Sequence, residues 1–243
     1  MGRCSDARDR LLATAARLIH ERGYTAVSVS DICNEAGLKK GSFYHFFPSK
    51  HALVLATLDR FAEYQEARMQ LAIESGTSAR QQLVGMLTGL YHGYVAAQRS
   101  YGAANGCPLG NLAQEMAHRD AELRAKLASI FSRWHARLTQ LLELARTRGD
   151  LDVPDPRQSA EAIIAYLQGS TLLAKVTGDP EVFLRLAHGV LALAKAELPR
   201  VEAPEPEPAR MCTAFCDSSS DLFASTLDED DGVTPCQVRP ASS

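Results

Sequence analysis

Apolar residues recur at helical spacing along nearly the whole chain, and the polar residues between them mark where each helix begins and ends. From Asp6 to Glu21, Leu11, Leu12, Ala15, Ala16, Leu18 and Ile19 repeat every three to four residues, and Gly23 stands where a C-terminal cap belongs. Ser30 then offers an N-cap, Asp31 sits in the first turn, Ile32, Cys33 and Ala36 face inward, and Gly37 ends a second helix after about two turns. A third short helix runs from Lys39 to Phe47, with Phe43, Phe46 and Phe47 as its apolar side. Pro48 closes it, because a residue before proline avoids helical dihedrals. Ser49 caps a long fourth helix from Lys50. Helical spacing continues through Phe61 to Glu74, Ala79 to Arg99, Asp120 to Arg148, Arg157 to Lys175 and Asp179 to Leu198, with turn-rich breaks at Ser100 to Gly110 and Gly149 to Pro156. No strand pattern competes, so the fold class is all-α.

Two short helices joined through Gly37, inside a bundle of three, form a helix-turn-helix over about 30–48. A second helix of two turns, braced by the first, is able to insert its N-terminal end into the major groove. The expected organisation is a DNA-binding domain over 1–60, a helical effector-binding and dimerisation domain over 61–198, and a tail over 199–243 dominated by Pro, Glu, Ser and Asp. That tail has too few large apolar residues to fold.

Charge sharpens this division. The net charge of -3 conceals nine Lys/Arg against six Asp/Glu in residues 1–60, fourteen of each in 61–198, and three against nine in 199–243. The mildly basic end fits a polyanion, and the acidity belongs to the tail. The most apolar stretch, Ala160 to Val176, is interrupted by Glu161, Gln168 and Lys175, so no membrane span is expected. With no secretory pattern at the N-terminus, the expected location is cytoplasmic. The six cysteines, at 4, 33, 107, 212, 216 and 236, include no C-x-x-C pair, so neither a disulfide framework nor a bound metal or other cofactor is expected.

The run from Val27 through Gly41-Ser-Phe-Tyr-His-Phe-Phe-Pro-Ser-Lys50 to Leu53 resembles the DNA-binding signature of the TetR family of repressors, with the Gly23-Tyr24 exit of helix one at the matching distance. The resemblance is dense over residues 6–66 and is one of layout up to Leu198. It implies a homodimer on double-stranded operator DNA, a small-molecule effector, and Ser28, Lys39, Lys40, Gly41, Ser42, Phe43, Tyr44, His45 and Lys50 as the DNA-facing set. Each residue type suits its task. Gly41 permits close backbone approach, and Ser42 both donates and accepts at a base edge. Tyr44 and His45 suit the sugar-phosphate backbone. Phe43 is chiefly a core residue, placed where some relatives touch thymine methyls. The family usually has a small capping residue where this chain has Lys39-Lys40, a pair read here as phosphate or guanine contacts.

In the second half, Ala162, Ile163, Ala165, Tyr166, Gly169, Leu172 and Leu173 on one helix are expected to form a four-helix dimer interface. Leu184, Leu186, Ala187, Val190, Leu191 and Leu193 on the next helix complete it. Tyr91, Tyr94, Cys107, Met116, Trp134 and His135 are candidates to line an effector pocket. Cys107, in the Asn105-Gly-Cys-Pro-Leu-Gly turn, also fits a redox or electrophile sensor, although nothing adjacent in sequence lowers its pKa. A thiol enzyme using Cys107 with His118 or His135, and a helical module without DNA binding, are the remaining alternatives. No H-E-x-x-H or phosphate loop supports catalysis, and the intact Gly41 to Lys50 run opposes the loss of DNA binding.

Overall fold

The computed structural model describes residues 2–101 and 105–195, so the acidic tail over 199–243 lies outside the described residues. Nine helices and no strand occur among them. They are α1 (Gly2–Arg22), α2 (Val29–Glu35), α3 (Lys40–Phe46), α4 (Lys50–Ser75), α5 (Ala79–Tyr101), α6 (Pro108–Met116), α7 (Ala121–Arg148), α8 (Pro156–Thr177) and α9 (Glu181–Lys195). No helix among them is long and apolar enough to cross a membrane.

Local chemistry sets the boundaries. Gly23, Gly37, Gly149 and Gly178 carry positive φ where α1, α2, α7 and α8 end, a conformation only glycine adopts without strain. Asp120 and Asp155 cap α7 and α8, each carboxylate accepting two backbone N–H bonds. The cap of α2 is Ser28, two residues before the expected Ser30. Only from Ser28 does Asp31 fall at the third helical position, so that Ser28 Oγ accepts from Asp31 N (3.1 Å) and the Asp31 carboxylate accepts from Ser28 N (2.8 Å). Two bare amides are satisfied by one reciprocal pair, which Ser30 cannot arrange.

The described core falls into two apolar clusters. One apolar cluster joins Leu11, Leu18, Ile32, Phe43 and Leu53 of α1–α4 to Leu109, Leu112 and Met116 of α6 and to Leu123, Leu127 and Ile130 of α7. A second joins α5, the latter half of α7, α8 and α9 around Leu83, Leu142, Ile163, Phe183 and Val190. The boundary expected at 60/61 falls inside α4, which runs unbroken through it. Helical periodicity shows which side of α6 and α7 is apolar but not which partner covers it. Here α6 and the start of α7 share the core of the helix-turn-helix.

Candidate nucleic-acid interface

The second helix of the helix-turn-helix is held by its aromatic side and open on the other. Phe43 is 0% exposed, with the Phe47 ring 6.1 Å away, and α3 packs on α1 and α2. The outer face then carries Lys39, Lys40, Gly41, Tyr44 and His45 exposed and Ser42 half-buried, with Tyr44 57% exposed. No acidic residue occupies the first turn, and Lys39 at the N-cap makes no side-chain bond to the helix, so the leading amides have no internal cap. Complete burial removes Phe43 from the DNA-facing set, because its ring is consumed by the core and cannot reach a thymine methyl without unfolding α3.

Gly41 is informative because the protein itself does not require it. Its φ is not positive, and a Cβ built there would meet no atom within 4 Å. Glycine has a lower helix propensity than alanine, and no contact among the described residues requires it there.

Lys50 differs from the other two lysines. Its Nζ donates to the carbonyls of Tyr24 and Val27, both at 2.8 Å, and lies 4.1 Å from the centroid of the Tyr24 ring. Burial pushes its pKa down, with Glu115 opposing. Two of its three ammonium hydrogens therefore fasten the turn between α1 and α2, a structural task the sequence did not reveal. Ser28 is exposed but committed through its hydroxyl to the α2 cap.

The second half of the chain meets this unit at α6 and at the start of α7. Glu115 accepts from Tyr24 N (2.7 Å), Thr25 N (2.7 Å) and Thr25 Oγ1 (2.6 Å). Burial alone would raise its pKa, but the Thr25 and Tyr24 donors together with Arg119 hold it below the ordinary value. His20 of α1 lies 2.9 Å through Nε2 from the carbonyl of Gly106, and His51 of α4 pairs with Asp120 at 3.0 Å. None of these joints was anticipated; the polar residues at 20, 51 and 115 carry no periodic signal.

The five expected pocket residues whose side chains are described are not gathered in one place. Met116 is buried in the first cluster and belongs to the core, since its side chain fills the contact of α6 with the helix-turn-helix. Trp134 stacks edge-on to Phe131 (5.5 Å) and near Phe61, and its buried indole N–H finds no acceptor among the described residues. His135 Nε2 lies 3.0 Å from the carbonyl of Arg157 on α8, and Tyr91 packs on the second cluster and hydrogen-bonds Glu181. The Tyr94 side chain lies outside the described residues. Cys107 is the one candidate on a cavity of about 160 Å³ between α6 and α8, whose wall also includes Asn111, Gln114, Gln168, Thr171 and Leu172. Burial pushes the Cys107 thiol pKa up, against the opposing amides of Gly110 and Leu109 and the Gln168 side chain.

On α8, Ile163 is core, whereas Ala165, Gly169, Leu172, Leu173 and Val176 are exposed, Leu172 at 47%, Leu173 at 50% and Val176 at 74%. Val190 of α9 is likewise core, and the Leu184, Ala187 and Leu191 side chains lie outside the described residues.

Residues 11–57 match the family model described as bacterial regulatory proteins, tetR family, and residues 83–190 match the tetracyclin repressor-like C-terminal domain. An HTH-type transcriptional regulator of Lactococcus lactis is 33% identical over 178 residues, covering 73% of this chain and 87% of that one. The transcriptional repressor NemR of Escherichia coli is 29% identical, over 71% of this chain and 85% of its own. Among solved structures, a TetR-family regulator from Agrobacterium tumefaciens matches with a TM-score of 0.71 at 25% identity, over 79% of this chain and all of that one. The reduced form of E. coli NemR matches with a TM-score of 0.65 at 26% identity, over 77% and 96%.

Proposed function

Since this chain belongs to the TetR family of bacterial transcriptional regulators, we propose that it works in the cytoplasm as a homodimeric repressor that holds operator DNA through α3 and is released by a small-molecule effector. The observation that carries this reading is the face of α3. Three consecutive positions, Lys39, Lys40 and Gly41, are exposed and uncapped at a helix start, and the glycine answers to no internal contact. Phosphate oxygens would meet the lysines and the open amides, Ser42 would read a base edge, and Tyr44 and His45 would fix register on the sugar-phosphate backbone. Lys50 keeps one ammonium hydrogen for a phosphate while anchoring the turn.

A second copy supplies the paired geometry that a twofold operator demands. The apolar face of α8 from Ala165 to Val176 supports this, since monomers rarely leave large aliphatic side chains contiguous and half exposed. A Cβ added at Gly169 would meet nothing within 4 Å among the described residues, so close approach of a partner helix there is open. An effector acts by preferring the dimer whose recognition helices are wrongly spaced for successive grooves, which lowers operator affinity by that difference in preference. Among the described residues, the α6–α8 cavity offers such a molecule polar contacts through Asn111, Gln114 and Gln168.

The thiol-sensor reading rests on Cys107 at the cavity wall and on the likeness to NemR, whose solved structure is described as its reduced form. The upward pKa favours the effector reading, since a thiol held protonated reacts slowly. Operator retention that survives hydrogen peroxide in both the wild type and Cys107→Ser fits the effector reading; loss in the wild type alone would favour the sensor.

Gly41→Leu tests the DNA-facing assignment. Leucine is a better helix former and has free space here, so thermal stability is expected to hold or rise while retention of the chain's own upstream DNA is lost. Retention equal to wild type would refute the proposal that this face meets DNA.

A further inference from the structure

One side chain of α6 is built into the DNA-binding unit rather than laid against it. Glu115 receives three hydrogen bonds from two consecutive residues of the α1–α2 turn, the N–H groups of Tyr24 and Thr25 and the Thr25 hydroxyl, all at 2.6–2.7 Å. Gly23, at φ +88°, turns the chain so that both amides face the carboxylate, and a Cβ at that position would stand 3.0 Å from Glu115 Oε2. Tyr24 is grasped from the other side as well, because its carbonyl accepts from Lys50 at the start of α4. The same ammonium takes the Val27 carbonyl, one residue before the cap of α2. A chain of polar contacts thus runs from α6 through Tyr24 to the segments that open α2 and α4, the two helices flanking α3.

We propose that Glu115 is a positioning residue for operator binding, holding the α1–α2 turn, and through it the starts of α2 and α4, in the register that the recognition helix needs. The proposal rests on the DNA-binding reading above. The His20–Gly106 and His51–Asp120 contacts and the shared apolar core keep the two halves attached when Glu115 is lost. Its removal therefore loosens register without detaching α6.

The test uses full-length wild type, Glu115→Ala, Glu115→Gln, Thr25→Ala and the Glu115→Ala/Thr25→Ala double variant. Anisotropy of a labelled duplex from the chain's own upstream region is read at several salt concentrations well below each thermal midpoint. Glu115→Ala is expected to weaken binding about tenfold with an unchanged salt slope, since no phosphate contact is removed. Glu115→Gln falls between, because its carbonyl still takes the Thr25 hydrogens while its NH2 faces Tyr24 N–H. Thr25→Ala weakens binding alone and adds less than twofold on top of Glu115→Ala, as one shared contact requires. Binding by Glu115→Ala within twofold of wild type, a reduced salt slope, or additive losses would overturn the proposal. Should Glu115→Ala fail to fold, Glu115→Gln carries the same criteria. A wild type that does not retain duplex at all sinks the DNA-binding reading and this proposal with it; equal binding by wild type and Glu115 variants sinks this proposal alone.

Discussion

Replacing Lys40 by alanine separates a DNA-facing lysine from a structural one. The Lys39 and Lys40 ammonium groups are exposed and have no ion-pair or hydrogen-bond partner among the described residues, whereas Lys50 is bonded to two carbonyls and seated on a ring. Lys40→Ala should therefore leave folding stability within about 0.5 kcal/mol of wild type. In a dimer it removes one phosphate contact from each half. Each contact contributes about 0.9 to the slope of log affinity against log salt, so the slope should fall by about 1.8. Between 50 and 200 mM salt, wild type should then lose roughly twelvefold more affinity than the variant. Lys50→Ala should behave differently. Two charge-assisted hydrogen bonds vanish, so the thermal midpoint drops by an amount on the order of 2 kcal/mol in stability, with a slope change no larger than that of Lys40→Ala. Fluorescence anisotropy across a salt series, paired with thermal melts, reads both quantities. A Lys40→Ala slope equal to wild type would refute the placement of that lysine on phosphate, whatever happens to affinity at one salt concentration.

Other consequences follow from the packing. Leu173→Glu on the exposed face of α8 is expected to yield monomers in sedimentation and to abolish operator retention while the monomer stays folded; an unchanged dimer would move the interface elsewhere. Phe43→Ala should destabilise the chain by about 3–5 kcal/mol as a fully buried aromatic, against about 1 kcal/mol for Ser28→Ala at the α2 cap, both read by denaturant unfolding. His20 is driven by burial toward its neutral form, with the Gly106 and Asn105 carbonyls opposing, so its folded pKa lies below 6.5. The unfolded chain then binds the proton more readily, and stability present above pH 6.5 is lost as pH falls through the folded value. His20→Gln, able to keep a donor toward Gly106, should flatten the melting temperature between pH 7 and 5.5 relative to wild type, and an unflattened profile would contradict the assignment.

Helix existence was legible because each helix carries an apolar stripe and a stop residue. Gly23 and Gly37 end α1 and α2 as the sequence read them, and the break read from Gly149 opens where α7 ends. The α2 start was misplaced by two residues because Ser28 and Ser30 are equal as caps until Asp31 is counted as a reciprocal partner. The sequence singled out residues that lie on the exposed side of α3, except at Phe43, where the same residue type serves core and contact and only burial decides. What the sequence hid were contacts between polar residues far apart in the chain, such as Lys50 with Tyr24, Glu115 with Thr25 and His20 with Gly106. Lone polar side chains at 20, 50 and 115 have no period from which a partner can be read. For the same reason the sequence did not show which of the described pocket candidates reaches the α6–α8 cavity, where Cys107 stands. A stripe of aromatics at helical spacing marks what is buried and leaves open what is hollow.

Selection of genomic fragments retained by the purified full-length chain tests the central claim most directly. The account predicts enrichment of an inverted repeat whose half-sites are centred about one helical turn, roughly 10–10.5 base pairs, or a multiple of it, apart, as paired α3 helices in successive major grooves require. Enrichment of no common sequence, or of a single unpaired half-site, would contradict it.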